Sequence, residues 1–282
     1  MYAFMQGSDH DGGPQRLRRH DNIRCVAWSP CGKLMAAGGY LGYLYVVDTC
    51  KNELLFEVPH ANVIRAVAWR PNGQQIATVG AEGRLRLVDT SSGSIALDIP
   101  CGSEAALCVH WTPWTSCSRV AVGSDDHCVR ILWRGSNGLL SFEEIVTGGW
   151  VDSVLWHPTA AVLAVASNDD KVRLLAEGDE GFDVYKEIRH GNRLRSMAWS
   201  QDGRFLATAC DDCRLRICEV TGRVVCEVLH ESEVVALAWC PSGHKVATGS
   251  CAGILRVLDA LTGTVEARVE LGAAVKALDW QA

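Results

Sequence analysis

Residues 64–80 read IRAVAWRPNGQQIATVG, and the same phrase stands at 23–39 (IRCVAWSPCGKLMAAGG), 194–210 (LRSMAWSQDGRFLATAC) and 234–250 (VVALAWCPSGHKVATGS). Each copy holds a tryptophan at one place. The series runs through the chain as Trp28, Trp69, Trp111, Trp156, Trp199, Trp239 and Trp280, at intervals of 41, 42, 45, 43, 40 and 41. Such a period belongs to a solenoid, a propeller or an array, and the content of one unit decides between them. In 64–80, apolar Ile64, Val67 and Trp69 precede Pro71 and Gly73, a turn pair at hairpin spacing, and the apolar run Ile76 to Val79 follows. Beyond Glu82-Gly83, Leu85-Arg86-Leu87-Val88-Asp89 mixes apolar and charged residues in alternation, and Ser91-Ser92-Gly93 leads into Ser94 to Ile99. One unit is therefore four short strands, a to d. A helical repeat would show i, i+3, i+4 spacing over about ten residues or more, and no window does.

The rest of the composition agrees with a folded, water-facing chain. Of 282 residues, 48% are hydrophobic and 21% charged, with 27 basic against 33 acidic side chains and a net charge of −6. No apolar run approaches the roughly 18 residues of a membrane span, so no membrane partner is expected. The start, MYAFMQGSDHDGG, lacks a basic stretch followed by an apolar one, which points to the cytoplasm or nucleus. The 13 cysteines are an odd number spread from Cys25 to Cys251, so they read as reduced thiols, mostly small buried hydrophobes.

Further features carry a resemblance to a known family. His20, His60, His190 and His230 stand eight or nine residues before their tryptophans, a Trp-x-Pro-x-Gly turn recurs, and units close on YVVD (45–48), RLVD (86–89) and RVLD (256–259). On these residues the chain resembles the WD-repeat family over essentially its whole length. The resemblance implies an all-β, seven-fold β-propeller. It also implies a bracing cluster in each blade: a His before strand a, a small hydroxyl residue in strand b, an Asp in the b–c turn and a Trp in strand c. Here the Asp falls on Asp126, Asp169 and Asp212, but on Leu41, Glu82 and Ala252 elsewhere. The strand-c Trp is replaced by Val47, Val88, Leu132, Leu175, Cys218 and Leu258. The expectation is that apolar packing takes over from this eroded cluster, with the seven repeated tryptophans equivalent and largely buried. A narrower resemblance is to the degenerate propellers of large scaffold subunits, such as the anaphase-promoting complex subunit four domain or intraflagellar transport subunits.

The blades are expected as one domain, 1–282, at about 21–60, 61–102, 103–147, 148–190, 191–230 and 231–271. A hybrid seventh would draw on 1–20 and 272–282: VKALDW (275–280) as its strand a, RLRRH (16–20) as its strand d and Tyr2 to Met5 as a strand c. So short a blade leaves an unpaired edge. Either the sequence is part of a longer protein, or a partner strand completes it.

Chemistry-bearing motifs are few. Cys210-Asp211-Asp212-Cys213 has the CxxC spacing of zinc knuckles and thiol redox enzymes, yet it coincides with the b–c turn of the fifth unit and lacks further ligands. Asp125-Asp126, Asn168-Asp169-Asp170 and Asp211-Asp212 could serve acid–base or calcium chemistry, but their recurrence at one repeat position argues for turn capping. No nucleophile elbow, phosphate loop or zinc-protease helix is present, so no catalytic residue, metal ligand or cofactor is assigned. Arg86, Arg130, Arg173, Arg216 and Arg256 recur on strand c and read as solvated or inter-blade positions rather than a binding stripe.

One set of positions converges. Directly after the first apolar residue of strand a stand Arg24, Arg65, Leu107, Asp152, Arg195, Val235 and Lys276. In WD-repeat propellers that place looks into the channel mouth on the face of the d–a loops. Nearby d–a positions add Asn22, Trp150, Arg193 and Glu233, Trp150 being an aromatic of the kind that anchors interfaces. The expected partner-binding residues are Arg24, Arg65, Trp150, Asp152, Arg193, Arg195 and Lys276, against the alternative of a hydrated mouth with compensated charges. The function implied is a non-catalytic scaffold that binds protein or peptide partners, acidic or phosphorylated ones by the charge of the mouth. A channel enzyme would need converging carboxylates or histidines there, and only Asp152 is offered. Direct nucleic-acid binding is disfavoured by the net −6.

Overall fold

The computed structural model of the chain describes residues 21–114, 118–135, 140–179, 181–275 and 278. Its 24 strands form six four-stranded antiparallel sheets, each from four strands consecutive in the chain and paired in chain order. The first sheet comprises β1 (Ile23–Trp28), β2 (Leu34–Gly39), β3 (Tyr43–Asp48) and β4 (Glu53–Pro59), and the second β5 (Ile64–Trp69), β6 (Gln75–Gly80), β7 (Arg84–Asp89) and β8 (Ile95–Pro100). The third holds β9 (Ala106–Trp111), β10 (Arg119–Ser124), β11 (Cys128–Arg134) and β12 (Leu140–Val146); the fourth β13 (Val151–Trp156), β14 (Val162–Ser167), β15 (Lys171–Glu177) and β16 (Phe182–Arg189). The fifth holds β17 (Leu194–Trp199), β18 (Phe205–Cys210), β19 (Arg214–Glu219) and β20 (Val224–Leu229); the sixth β21 (Val234–Trp239), β22 (Lys245–Ser250), β23 (Ile254–Asp259) and β24 (Val265–Glu270). The first strands stand side by side in order, β1 next to β5 and so on to β21, which is the arrangement of propeller blades.

Five apolar cores join the six sheets, one between each consecutive pair. The residues that replace the strand-c Trp lie in them: Val88, Leu132, Leu175, Cys218 and Leu258 are all buried. The repeated tryptophans pack there too, and in three of them the indole N–H donates to the preceding sheet. Trp69 bonds the Ala27 carbonyl at 2.9 Å, Trp199 that of Leu155 at 3.3 Å and Trp239 that of Ala198 at 2.8 Å. Equivalence fails at Trp28, which is 46% exposed where Trp156 is 2% exposed. Among the described residues no sheet precedes the first one, so no preceding sheet covers the Trp28 indole; Trp280, 1–20 and the strand expected at Tyr2 to Met5 lie outside the described residues.

The polar brace is rebuilt rather than lost, which corrects two expectations. His60, His190 and His230 each place Nε2 within 2.7–2.9 Å of the strand-b hydroxyl of Thr78, Thr208 or Thr248. Their Nδ1 atoms face the carbonyls of Val58, Ile188 and Val228 at 3.2–3.3 Å. A carbonyl only accepts, so Nδ1 carries the proton and Nε2 accepts from the threonine. The strand-c arginines then take the place of the missing Trp. Arg86, Arg173 and Arg256 are buried, not solvated. Arg130 reaches Asp126 at 2.8 Å and Glu144 at 2.7 Å; Arg216 reaches Asp212 at 2.6 Å and Glu227 at 2.8 Å. Arg86 and Arg173 do the same with Glu82 and Asp98, and with Asp169 and Glu187. The second acid of each set stands opposite the arginine on strand d, so one guanidinium ties strands c and d to the b–c turn. Where the turn acid is absent the device is improvised. In the sixth sheet Glu231 pairs with Arg256, and in the first Asp21 accepts from the Tyr45 hydroxyl at 3.0 Å.

The b–c turns also explain the CxxC. Their last residue has positive φ in every sheet: Gly42, Gly83, His127, Asp170, Cys213 and Gly253 lie between 61° and 77°. Cys213 is thus a turn residue in a conformation that favours glycine, and Cys210 is buried with its thiol donating to the Asn192 carbonyl at 2.9 Å. Changing Cys213→Gly should stabilise the chain by about 0.5–1 kcal/mol, read by urea denaturation; destabilisation would contradict the turn assignment.

Candidate functional site: the mouth of the inner strands

On the face of the d–a and b–c loops, the inner strands surround an open cavity of about 770 Å³. Arg24 from β1, Arg65 from β5 and Arg195 from β17 line it together with Asp211, Glu233, Val235 and Cys251. The convergence has a simple origin. In the second to sixth sheets the first residue of strand a is apolar and turns into the inter-sheet core, as Ile64, Val151, Leu194 and Val234 do, and the next residue faces the other way, toward the common axis.

The seven expected partner-binding residues do not share one environment. Arg195 makes a bidentate pair with Asp211, at 2.6 and 2.7 Å. Arg193 does likewise with Asp152, at 3.0 and 2.5 Å, so these two residues mainly tie the fifth sheet to the fourth. Trp150 is 44% exposed on the loop that enters β13, outside the lining of the cavity. Lys276 lies outside the described residues. Arg24 donates to the Tyr40 hydroxyl at 3.0 Å and lies over that ring, 5.8 Å from its centroid, with no carboxylate partner among the described residues. Among the described residues Arg65 has neither an ion pair nor a hydrogen bond, and its buried Nε has no acceptor there. A buried donor left so costs about 1–3 kcal/mol unless something from outside supplies the acceptor.

Two participants escaped the sequence reading. Tyr40, half exposed in the b–c turn of the first sheet, supports Arg24. Asp211 silences Arg195, and the only signal for it was its place beside the turn acid Asp212. The acidic pairs themselves act as the repeat position suggested. Asp126 and Asp212 accept from the amides of Cys128 and Arg214 at 3.2 and 3.1 Å while holding their arginines. Burial, the largest single influence, would raise these carboxyls; the guanidinium hydrogen bonds, those from Ser124, Ser167 and Cys210, and the arginine charges together outweigh it and hold Asp126, Asp169 and Asp212 below their usual range. Among the described residues no group of three or more His, Cys, Asp or Glu side chains is placed to hold a metal ion.

Residues 14–48, 184–219 and 224–259 match the family model described as WD domain, G-beta repeat, and residues 55–113 match that of the anaphase-promoting complex subunit 4 WD40 domain. No curated protein matches the chain.

Proposed function

Starting from a chain that carries WD repeats, domains that generally serve as non-catalytic protein-interaction scaffolds, we propose that this protein is an adaptor that receives an acidic segment of a protein partner at the mouth of its inner strands. The six sheets are read as six of seven blades of a single domain working in the cytoplasm or nucleus. The match over 55–113 supports a place within a larger assembly. One observation carries the choice of face: among the described residues, Arg24 and Arg65 converge on one cavity without a carboxylate partner, and the Arg65 Nε lacks an acceptor. Arginine suits the task, because its planar fork binds carboxylate or phosphate bidentately and keeps its charge when partly desolvated.

The double change Arg24→Ala with Arg65→Ala should therefore weaken capture of the partner by about 30-fold or more, on the order of 2 kcal/mol, in pull-downs repeated at rising salt. The melting temperature should stay within a degree or so, since neither side chain braces a described neighbour by an ion pair. Arg195→Ala should matter less for binding, being already neutralised by Asp211. Binding that survives the double change but disappears on altering Gln74 or Arg204, beside the turns of the opposite face, would place the interface there. Loss of capture on nuclease treatment would point to a nucleic-acid bridge instead.

A further inference from the structure

The cavity is not uniformly cationic. Arg24 and Arg65 come from the first and second sheets, while Glu233 comes from the loop entering β21 of the sixth sheet. Glu233 is exposed and among the described residues its carboxylate has no hydrogen bond or ion pair, while its backbone carbonyl accepts from the Cys251 amide at 3.0 Å. Between these walls Arg195 and Asp211 cancel each other at 2.6–2.7 Å, and Val235 adds an apolar side chain. Among the described residues two free cations thus stand on one wall and one free anion on another.

Resting on the reading of this mouth as the partner-binding surface, we infer that it is bipolar and selects an extended peptide segment bearing one carboxylate and, at a fixed separation, one basic side chain. The carboxylate would sit between Arg24 and Arg65 and supply the acceptor that Arg65 Nε lacks. The basic residue would answer Glu233. A cavity of about 770 Å³ admits a few side chains of such a segment, and both charges would be partly desolvated there. The Glu233 carboxylate also bears on the kind of anion. A phosphate dianion gains more from the two arginines but is repelled more by Glu233, so phosphorylation is not required and a purely acidic run binds less well than a mixed one.

A random peptide library panned against the immobilised full chain tests this, with Arg65→Ala and Glu233→Lys as parallel baits. The wild-type chain should enrich sequences with an Asp or Glu and a Lys or Arg at constant spacing. Arg65→Ala should lose the acidic preference. Glu233→Lys should lose the basic one and accept a second acid in its place. Synthetic versions of the enriched peptide should bind about tenfold more weakly when either charge is replaced by Ala, and no more tightly when phosphoserine replaces the acid. Enrichment that needs Arg65 but shows no basic preference and ignores Glu233→Lys would overturn the bipolar inference while leaving the mouth as the binding surface. Tighter binding of the phosphoserine version would overturn it as well. Enrichment unaffected by either change, or none above the bare support, would remove both readings.

Discussion

Acidification from pH 7 to pH 4 should cost this protein most of its stability. The cause is histidine rather than carboxylate. Burial drives the His110 and His190 pKa values down to about 4, aided in His190 by the charge of Arg216, and burial also lowers His60 and His230. A base whose folded pKa lies below its unfolded value of about 6.5 is neutral in both states at pH 7. As pH falls below 6.5 the unfolded chain takes up the proton first, so stability declines until the folded pKa is reached. The window is therefore about 6.5 to 4, and His110 and His190 can each contribute up to about 3 kcal/mol across it. The geometry gives each ring a reason to stay neutral: His190 Nε2 accepts from Thr208, and His110 Nδ1 accepts from the Trp156 amide at 3.2 Å, joining the third sheet to the fourth. The braced carboxyls act lower down. Asp126, Asp169 and Asp212 have folded pKa values below the usual range, so their contribution fades only under about pH 4. Urea denaturation followed by tryptophan fluorescence at intervals from pH 7.5 to 4.5 reads the slope. His190→Asn should lower stability at neutral pH and remove about one proton from that slope; a flat wild-type profile would refute the account.

Breaking one arginine brace should have the next largest effect. Asp169→Ala leaves the buried Arg173 guanidinium with the Glu187 carboxylate and the Ser167 hydroxyl oxygen, and the Ser167 hydroxyl without its acceptor. Removing one partner of a buried pair costs about 3–5 kcal/mol; with Glu187 still present, about 2–3 kcal/mol is expected. The same change at Asp211, whose partner Arg195 is exposed, should cost about 1 kcal/mol or less. Replacing both members, Asp169→Leu with Arg173→Met, should be less damaging than Asp169→Ala, because no uncompensated charge remains. If Asp169→Ala proves as mild as Asp211→Ala, the strand-c arginines are not a substitute for the missing tryptophan.

The strand array was legible because it is written locally. A turn pair between two apolar runs makes a hairpin wherever it stands, and a period near forty residues repeated along the chain makes a row of like sheets. The strand-c arginines show the limit of that reading. Their recurrence on strand c reads as a solvated or inter-blade position, yet Arg86 is buried, since the acid opposite on β8 and the acid in the turn of its own sheet satisfy it from two sides. Trp28 shows the same limit in the other sense. Its motif matches Trp69, but burial comes from the preceding sheet, not from the motif.

What the amino-acid sequence determined by itself is the succession of four-stranded units, the turn chemistry that includes Cys213, and the placing of one side chain per unit toward a common axis. What only the tertiary structure decided is which of those side chains remain available. Asp152 and Arg193 are 41 residues apart and Arg195 and Asp211 are 16 apart, and each pair meets only once the sheets and their turns are assembled. The physical reason is range. Strand and turn preferences act between near neighbours along the chain, whereas a charge is neutralised by whatever stands within a few ångströms in space, and among the described cations of the mouth that leaves Arg24 and Arg65 without a carboxylate.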